Sequence, residues 1–294
     1  MKARCNNCGT ASYKVLHKAG RAQIHQIVQC ENCGLMYAFP LERDNLETYS
    51  VTATEQEPLS EASPEVRRAL TKLPDYEKIE SVLSDLLPRK GHVVEVGAHS
   101  GLLLGSFRSK GWKVTGIEPD GRAVEFARRA YDIDVRRATL LSTDLEDGCA
   151  DAVVMLHVIE HLDDPAANLR VVSRILRDDG VFVVETPIYD TLAYRLLGRR
   201  ERSLSCDGHI FFYTQATLSR LLTDCGFTIL RSERVGRTMS LSRLLWNFGV
   251  MSKSTSAQRM LKAVIDRPSL HSRHIHLNAK DMLRIYARRS LTLS

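Results

Sequence analysis

Four of the seven cysteines form two pairs with the same spacing, Cys5-x-x-Cys8 and Cys30-x-x-Cys33. A glycine follows each pair and permits the left-handed backbone that turns main-chain N–H groups towards sulfur. Four thiolates complete the tetrahedral coordination of zinc and leave no open position, so the pattern predicts a structural metal site. Because the chain begins without an apolar signal segment, this spacing favours a metal over disulfides.

The segment between the cysteine pairs contains KVLHKAG and AQIHQIVQC, which are typical of a β-hairpin. We therefore predict a zinc ribbon over residues 1–40. A unit of about 40 residues buries too little apolar surface to fold alone, so the metal would supply much of its stability. Cysteines that stay free thiols are the alternative. His17 and His25 are spare ligand candidates, with a place on the hairpin surface as their more ordinary role.

A second reactive group consists of histidines close to one glutamate. His157, Glu160 and His161 lie in HVIEH, directly after a predicted strand, and His209 lies in DGHIFFY. Histidine suits general-base catalysis because its ordinary pKa is close to neutrality. We predict that His161 is the base, that His209 is the second candidate and that Glu160 orients the histidine. The alternatives are a structural role for His161, a core plug at 209–213, and a divalent metal chelated by these side chains.

The elements that position these residues alternate regularly from residue 92 onward. The predicted strands span 92–96, 113–118, 151–156, 181–185, 227–235 and 281–289. Helices are predicted between them, with Asp120 and Asp164 as N-caps and Gly180 as the end of one helix. Strands that alternate with single helices predict an α/β fold with a mostly parallel sheet and right-handed crossovers.

Composition and spacing divide the chain into three segments. Residues 1–40 hold the cysteine pairs, and residues 41–90 are a polar connector that we expect to form short helices, such as 75–87. Residues 91–294 hold the α/β domain. Within that domain, 188–202 and 236–277 do not follow the alternation, and we predict helical insertions there.

The turn after the first strand of the α/β domain, EVGAHSG at 95–101, has the features of a nucleotide-binding loop. Glycine lets a backbone turn sharply and approach a ligand closely. The next strand ends in Glu118, where a carboxylate can accept hydrogen bonds from both hydroxyls of a ribose. A phosphate-binding P-loop is excluded because no Gly-Lys-Ser/Thr follows. The spacing G-x-x-x-G also departs from G-x-G-x-x-G of dinucleotide sites, although a domain that binds NAD or no nucleotide is the alternative.

Residues 91–187 resemble class I S-adenosylmethionine-dependent methyltransferases in EVGAHSG, GIEPD, DAVVMLHVIEHLDDP and LRDDGVFVVETP. The resemblance implies a Rossmann-like core with a seven-stranded, mostly parallel sheet and S-adenosylmethionine (SAM) as cofactor. It further implies which residues lie against methionine, ribose and adenine. These are Glu95, Gly97, Ala98, His99, Gly101, Glu118, Thr139, Leu140, Leu156 and His157. Many members have a third glycine where this chain has His99.

A zinc ribbon ahead of such a core resembles a subgroup that includes sugar C-methyltransferases of deoxysugar pathways. The resemblance implies methyl transfer to oxygen or carbon of a small molecule, such as a sugar, a glycan precursor or a natural-product intermediate. Those sugar enzymes usually carry a further long C-terminal domain that the 294 residues do not include. The sugar and the carbon acceptor therefore stay open.

Two functions other than small-molecule methylation are alternatives for this sequence. The net charge of +6 is consistent with an RNA methyltransferase that binds RNA through the ribbon. However, HVIEH stands where enzymes that methylate exocyclic base nitrogens usually have an Asn/Asp-Pro-Pro-aromatic clamp, and the ribbon lacks interleaved basic and aromatic residues. We therefore expect no nucleic-acid partner. The second alternative is a non-catalytic, cofactor-binding scaffold.

A basic amphipathic stretch around Arg195 suggests a further partner. Its leucines are Leu192, Leu196 and Leu197, and its other cations include Arg199 and Arg200. We predict a lid over the acceptor pocket, with peripheral contact to a membrane that holds a lipid-linked or anionic acceptor as the alternative. The absence of a signal segment and of a long apolar run predicts a cytoplasmic location.

Overall fold

The N-terminal residues form three antiparallel strands in the computed structural model, which describes residues 4–18, 26–39, 57–198, 204, 208–242, 244–245 and 273–290. The strands are β1 (Tyr13–His17), β2 (Gln26–Cys30) and β3 (Met36–Phe39). The first two pair as the predicted hairpin, and β3 pairs with the other edge of β2. His25 lies outside the described residues.

A seven-stranded sheet forms the centre of the molecule. The remaining strands are β4 (His92–Val96), β5 (Lys113–Glu118), β6 (Asp134–Arg137), β7 (Ala150–Leu156), β8 (Leu176–Pro187), β9 (Phe211–Phe212), β10 (Phe227–Ser240) and β11 (His274–Arg289). All except β9 belong to this sheet, in the order β10-β11-β8-β7-β4-β5-β6. Strands β4 to β8 run parallel, whereas β11 pairs antiparallel with both β8 and β10. The predicted α/β, mostly parallel seven-stranded sheet is confirmed.

Six helices connect and cover these strands within the described part of the chain. They are α1 (Pro64–Leu86), α2 (Leu102–Ser109), α3 (Gly121–Tyr131), α4 (Pro165–Ile175), α5 (Leu192–Leu197) and α6 (Gln215–Asp224). Asp120 and Asp164 are N-caps as predicted, because their carboxylates accept hydrogen bonds from the N–H groups of Arg122 and Ala167. None of the described helices is long and apolar enough to cross a bilayer.

The two faces of the sheet bury separate apolar clusters. One face carries Val94 and Val96 and packs on α4, α6 and the N-terminal strands. The opposite face carries Val93 and packs on α1, α2 and α3. Adjacent side chains of β4 therefore point to opposite sides and meet different helices, which explains why the strand is apolar throughout.

The connector differs from the prediction of short helices. Residues 64–86 form one continuous helix, α1, with Pro74 inside it. Ile79 and Leu83 lie four residues apart on the same face and are fully buried against the sheet. This packing stabilises a long helix that the polar composition did not indicate.

Gly180 does not end a helix, so that prediction is wrong. Helix α4 ends at Ile175, and β8 begins at once with the buried Leu176. A Cβ at Gly180 would lie 2.9 Å from Cδ2 of Leu176 and 3.2 Å from the carbonyl oxygen of Ala150. The glycine therefore permits close packing of β8 on β7 rather than a helix end.

The segment 236–277 is not helical at its two ends. Residues 236–240 continue β10, and residues 274–277 begin β11. The two ends pair with each other, Arg237 opposite Leu277 and Ser240 opposite His274, so the strands extend beyond the edge of the sheet. Residues 241–242 and 244–245 are helical, and 246–272 lie outside the described residues. In the segment 188–202, α5 is helical, and 199–202 are not described.

Candidate functional site

The turn between β4 and α2 needs its glycines for two reasons. Gly97 and Gly101 have φ of 73° and 71°, in the left-handed region. A Cβ at Gly97 would lie 2.5 Å from Cγ2 of Val158, and one at Gly101 would lie 2.7 Å from Cβ of Ala127. Neither position accepts a side chain, so the backbone of this turn stays exposed to a ligand.

His99 adopts the same backbone conformation without being a glycine. Its φ is 46°, which costs a residue with a Cβ about 1–2 kcal/mol. Its N–H donates to Oε2 of Glu118 at 2.8 Å, and this bond holds the turn against the end of β5. Burial lowers the pKa of the His99 imidazole, so that it is neutral near pH 7. The histidine thus adopts the left-handed conformation that is more usual for glycine.

Two buried carboxylates lie beside this turn. Oε1 of Glu118 accepts the N–H of Asp120 at 2.9 Å, and each oxygen keeps a lone pair for a ribose hydroxyl. Burial raises the pKa of Glu118. Glu95 is 6% exposed, and its Oε2 has no hydrogen-bond partner in the described structure. Burial, and then the charge of Glu118, raise the pKa of Glu95 well above its usual value. A cationic ligand would relieve both effects, and SAM carries an ammonium and a sulfonium.

The other residues implied in cofactor binding lie along the same edge of the sheet. Ala98 is buried within the turn, and Leu140 is buried in a short 3-10 turn, Leu140–Ser142, that begins after Thr139. Leu156 and His157 stand at the end of β7, next to β4. Parallel strands end at one edge of a sheet, where α/β proteins bind their ligands. All ten residues implied by the resemblance therefore lie at this edge.

The predicted catalytic residues also come together. Glu160 and His161 lie on a 3-10 turn after β7, Ile159–His161, and His209 lies just before β9. One potential ligand atom from each side chain lies within 4.8 Å of the others. The two imidazole rings meet edge to face, with centroids 4.6 Å apart. The N–H of Ile210 donates to the carbonyl oxygen of Glu160 at 2.8 Å and joins the two segments.

Hydrogen bonds fix the orientation of this cluster. Nδ1 of His161 lies 2.8 Å from the carbonyl oxygen of Gly208, so Nδ1 carries the proton and Nε2 can accept one. Oε2 of Glu160 accepts the hydroxyl of Thr186 at 2.9 Å. Burial would raise the pKa of Glu160, but His157 and the charges of His161 and His209 lower it to about 2. Burial lowers the pKa of His209 to about 4.

The four N-terminal cysteines also form one cluster. Sγ of Cys5 lies 3.5 Å from Sγ of Cys33, Sγ of Cys8 lies 3.5 Å from that of Cys30, and all four lie within 4.8 Å. A tetrahedron with Zn–S bonds of about 2.3 Å has sulfur atoms about 3.8 Å apart. Burial raises the pKa of Cys5 and, to about 11, that of Cys33. The group therefore fits a single metal ion, whose charge would stabilise the buried thiolates.

A comparison with models of known protein families shows to which family this chain belongs. Residues 66–232, more than half of the chain, match the family model described as "Methyltransferase domain". The chain belongs to this methyltransferase domain family. The resemblance of residues 91–187 to class I SAM-dependent methyltransferases and the predicted Rossmann-like fold are thus confirmed, and the zinc ribbon stays a prediction.

Similar proteins carry methyltransferase names. A "Probable S-adenosylmethionine-dependent methyltransferase" of Mycolicibacterium smegmatis is 30% identical over 177 residues, 60% of this chain and 66% of the relative. A ubiquinone biosynthesis O-methyltransferase of Methylocella silvestris is 31% identical over 99 residues, 32% of this chain and 39% of the relative. The chain thus spans about two fifths to two thirds of the length of these relatives.

Solved methyltransferase structures share the fold at low identity. The 1,6-didemethyltoxoflavin-N1-methyltransferase of Burkholderia thailandensis superposes with a TM-score of 0.53 at 16% identity, covering 89% of this chain and 98% of that chain. The geranyl diphosphate C-methyltransferase of Streptomyces coelicolor gives 0.51 at 14% identity, covering 85% and 100%. Both likenesses concern the architecture.

The cysteine-containing segment packs directly on the methyltransferase domain. β9 pairs antiparallel with β3 and adds a fourth strand to the N-terminal sheet, with Tyr37 opposite Phe211. The N–H of Ala38 donates to the carbonyl oxygen of Ile210 at 2.8 Å. Asn7 is buried and donates through Nδ2 to the carbonyl oxygen of Thr217 at 2.9 Å. The residue after His209 is therefore held by the N-terminal segment as well as by Glu160.

Helix α5 carries the predicted lid or membrane contact. Leu192 and Leu196 are 71% and 76% exposed. Tyr194 points the other way, with its hydroxyl 3.3 Å from Nε2 of His17 and 3.5 Å from Sδ of Met36. The helix is thus attached to the N-terminal sheet. Arg199, Arg200 and Arg202 lie outside the described residues, and the lid and the membrane contact stay predictions.

Sequence reasoning missed a buried ion pair beside His157. Arg284 on β11 donates through Nε and Nη2 to Oε2 of Glu185, at 2.8 and 2.7 Å, and both residues are at most 3% exposed. Nε2 of His157 lies 3.5 Å from Oε1 of Glu185, and its Nδ1 lies 3.7 Å from Oε1 of Glu160. In the sequence, the pair is indicated only by one charged residue within each of two apolar strands, Glu185 in β8 and Arg284 in β11.

Proposed function

We propose that this protein transfers the methyl group of SAM to an oxygen or carbon atom of a small molecule. The observation that supports it most is the placement of the glycine turn, Glu118 and the Glu160–His161–His209 cluster beyond the same ends of the parallel strands. The relatives named ubiquinone biosynthesis O-methyltransferases favour oxygen as the acceptor atom. For the identity of the acceptor molecule, the prediction from the sequence is a sugar, a glycan precursor or a natural-product intermediate.

The residues at the end of β4 and β5 would bind the cofactor. SAM supplies an electrophilic methyl group on a positively charged sulfur. Glu118 would accept hydrogen bonds from the ribose hydroxyls, and the backbone at 97–101 would contact ribose and methionine. Oε2 of Glu95, which accepts no hydrogen bond from any described residue, would accept one from the methionine part of SAM. Binding of this kind holds the methyl group in line with the acceptor, which supplies much of the rate in a displacement reaction.

The acceptor must also lose a proton, and the Glu160–His161–His209 cluster offers two ways. The sequence predicts a histidine base, and His161 fits this role because its Nδ1 donates to Gly208 and leaves Nε2 free. The buried carboxylate of Glu160 would stabilise the imidazolium that forms. Alternatively, a cation bound by the same cluster would lower the pKa of an acceptor hydroxyl. Activity that survives removal of divalent cations would support the base.

Methyl-labelled SAM tests the proposed function against its alternatives. The protein is incubated with labelled SAM and one of two fractions of the cells that naturally produce it. One fraction is an ultrafiltered metabolite extract, and the other is total RNA. We expect label in a small molecule, and none with Glu118→Ala. Label confined to the RNA would establish the RNA methyltransferase instead. Binding of SAM without transfer to either fraction would favour the scaffold.

A further inference from the structure

We propose that Glu160, His161 and His209 bind a divalent cation. Their ligand atoms lie within 4.8 Å of one another, from two histidines and one carboxylate. Imidazole and carboxylate groups together suit first-row divalent cations such as Mn²⁺, Fe²⁺ and Zn²⁺. The cysteine cluster is a separate group with thiolate ligands only.

Two atoms of this cluster are buried without a hydrogen-bond partner among the described residues. They are Oε1 of Glu160 and Nδ1 of His209, and Glu160 is only 1% exposed. A buried polar atom that lacks a partner costs about 1–3 kcal/mol, so proteins rarely leave one unsatisfied. Nδ1 of His157 lies 3.7 Å from Oε1 of Glu160, which is an ion-pair distance when His157 is protonated but is longer than a hydrogen bond. A cation in the cluster would coordinate both atoms and remove both costs.

The contacts around the three side chains are those expected of metal ligands. A ligating histidine usually donates its second ring N–H to a carbonyl or carboxylate, which fixes its tautomer and orientation. Nδ1 of His161 makes this bond to Gly208 at 2.8 Å and leaves Nε2 for the cation. The second oxygen of Glu160 accepts the hydroxyl of the fully buried Thr186 at 2.9 Å. These bonds orient the ligands before any ion arrives.

The cation would act on the acceptor, and this part rests on the proposed function. Three protein ligands out of about six octahedral positions leave room for an acceptor oxygen and water. A hydroxyl next to the cation has a lowered pKa, so its proton passes to water while the oxygen takes the methyl group from sulfur. The histidines then serve as ligands in place of a base, and the acceptor atom is oxygen.

Titration with Mn²⁺ tests the site on the full chain, independently of any acceptor. Mn²⁺ prefers nitrogen and oxygen ligands to thiolates, and its electron paramagnetic resonance signal reports the free ion. We expect one Mn²⁺ per chain in the wild type and at least tenfold weaker binding in Glu160→Gln and His209→Asn. Glu125→Gln, on the exposed side of α3, is the matched control with unchanged affinity.

Substitution of the buried Glu160 can prevent folding, so His161→Gln, at a less buried position, provides a second variant. Circular dichroism verifies that each variant is folded. Wild-type protein that takes up no Mn²⁺ would overturn the proposal, and so would a folded Glu160→Gln that binds Mn²⁺ as tightly as the wild type. Titration of the same samples with SAM separates the two proposals. Failure of SAM to bind the wild type would contradict the proposed function alone.

Discussion

At the turn between β4 and α2, one buried carboxylate and one strained histidine fix the backbone. The N–H of His99, in the left-handed conformation, reaches Glu118, and Glu118 also binds the N–H of Asp120. Glu95 lies next to Glu118, and its Oε2 has no hydrogen-bond partner within the part of the chain that the structure describes. The site therefore stores an electrostatic cost that a positively charged ligand would relieve.

The raised pKa of Glu95 predicts a pH-dependent effect of Glu95→Gln on stability. Since the pKa is higher in the folded state than in the unfolded state, the proton binds the folded state more tightly. The stability that Glu95 contributes is fully present below its unfolded pKa and is lost as the pH rises through its folded pKa. The variant should thus gain free energy of unfolding relative to the wild type between pH 4.5 and pH 8.

Urea denaturation at both pH values measures this difference. Glu125→Gln, which removes an exposed carboxylate, should show no such change between the two pH values. A difference between Glu95→Gln and the wild type that stays constant with pH would show that Glu95 does not carry this cost.

Among the elements, the pairing of β3 with β9 connects the cysteine-containing segment to the segment of the methyltransferase domain that carries His209. The strand β9 follows His209 within two residues, and Ile210 bonds both Ala38 and Glu160. Anything that loosens the N-terminal sheet should therefore disturb the His209 segment.

Cys33→Ser should abolish the predicted binding of zinc and lower the thermal stability of the whole chain. Structural zinc contributes about 10 kcal/mol or more of apparent binding free energy in small zinc-finger units, so we expect a loss of several kcal/mol here. Elemental analysis and thermal denaturation measure the two effects. Cys149→Ser, outside the cluster, is the control and should keep both the metal and the melting temperature. Wild-type protein without zinc, purified in the absence of chelators, would contradict the zinc ribbon.

Local sequence patterns predicted those strands and helix ends that are determined by neighbouring residues. The bounds of β4 and β5 and the caps of α3 and α4 follow from apolar runs and from single aspartates. The glycine turn and the position of His161 follow from where parallel strands end, whereas His209 precedes β9 of the N-terminal sheet and reaches His161 through contacts between distant segments. The β3–β9 pairing, the long arms of β10 and β11 and the Glu185–Arg284 pair depend on contacts between distant segments, which periodicity does not contain.

At the scale of the whole molecule, the proposed position of SAM is across the carboxyl ends of β4 and β5. The 97–101 turn, the buried carboxylates and the family all agree with this position. The proposed acceptor site and the cysteine segment are arranged around it through β7, β8 and β9.

Isothermal titration with SAM, on the wild type and on Glu118→Ala, tests this position most directly. The wild type should bind one SAM per chain. The variant should bind at least tenfold more weakly, because it loses the ribose acceptor and the bond that holds His99. Thermal denaturation verifies that the variant is folded. Equal affinity for SAM in the two proteins, or no binding by the wild type, would contradict the account.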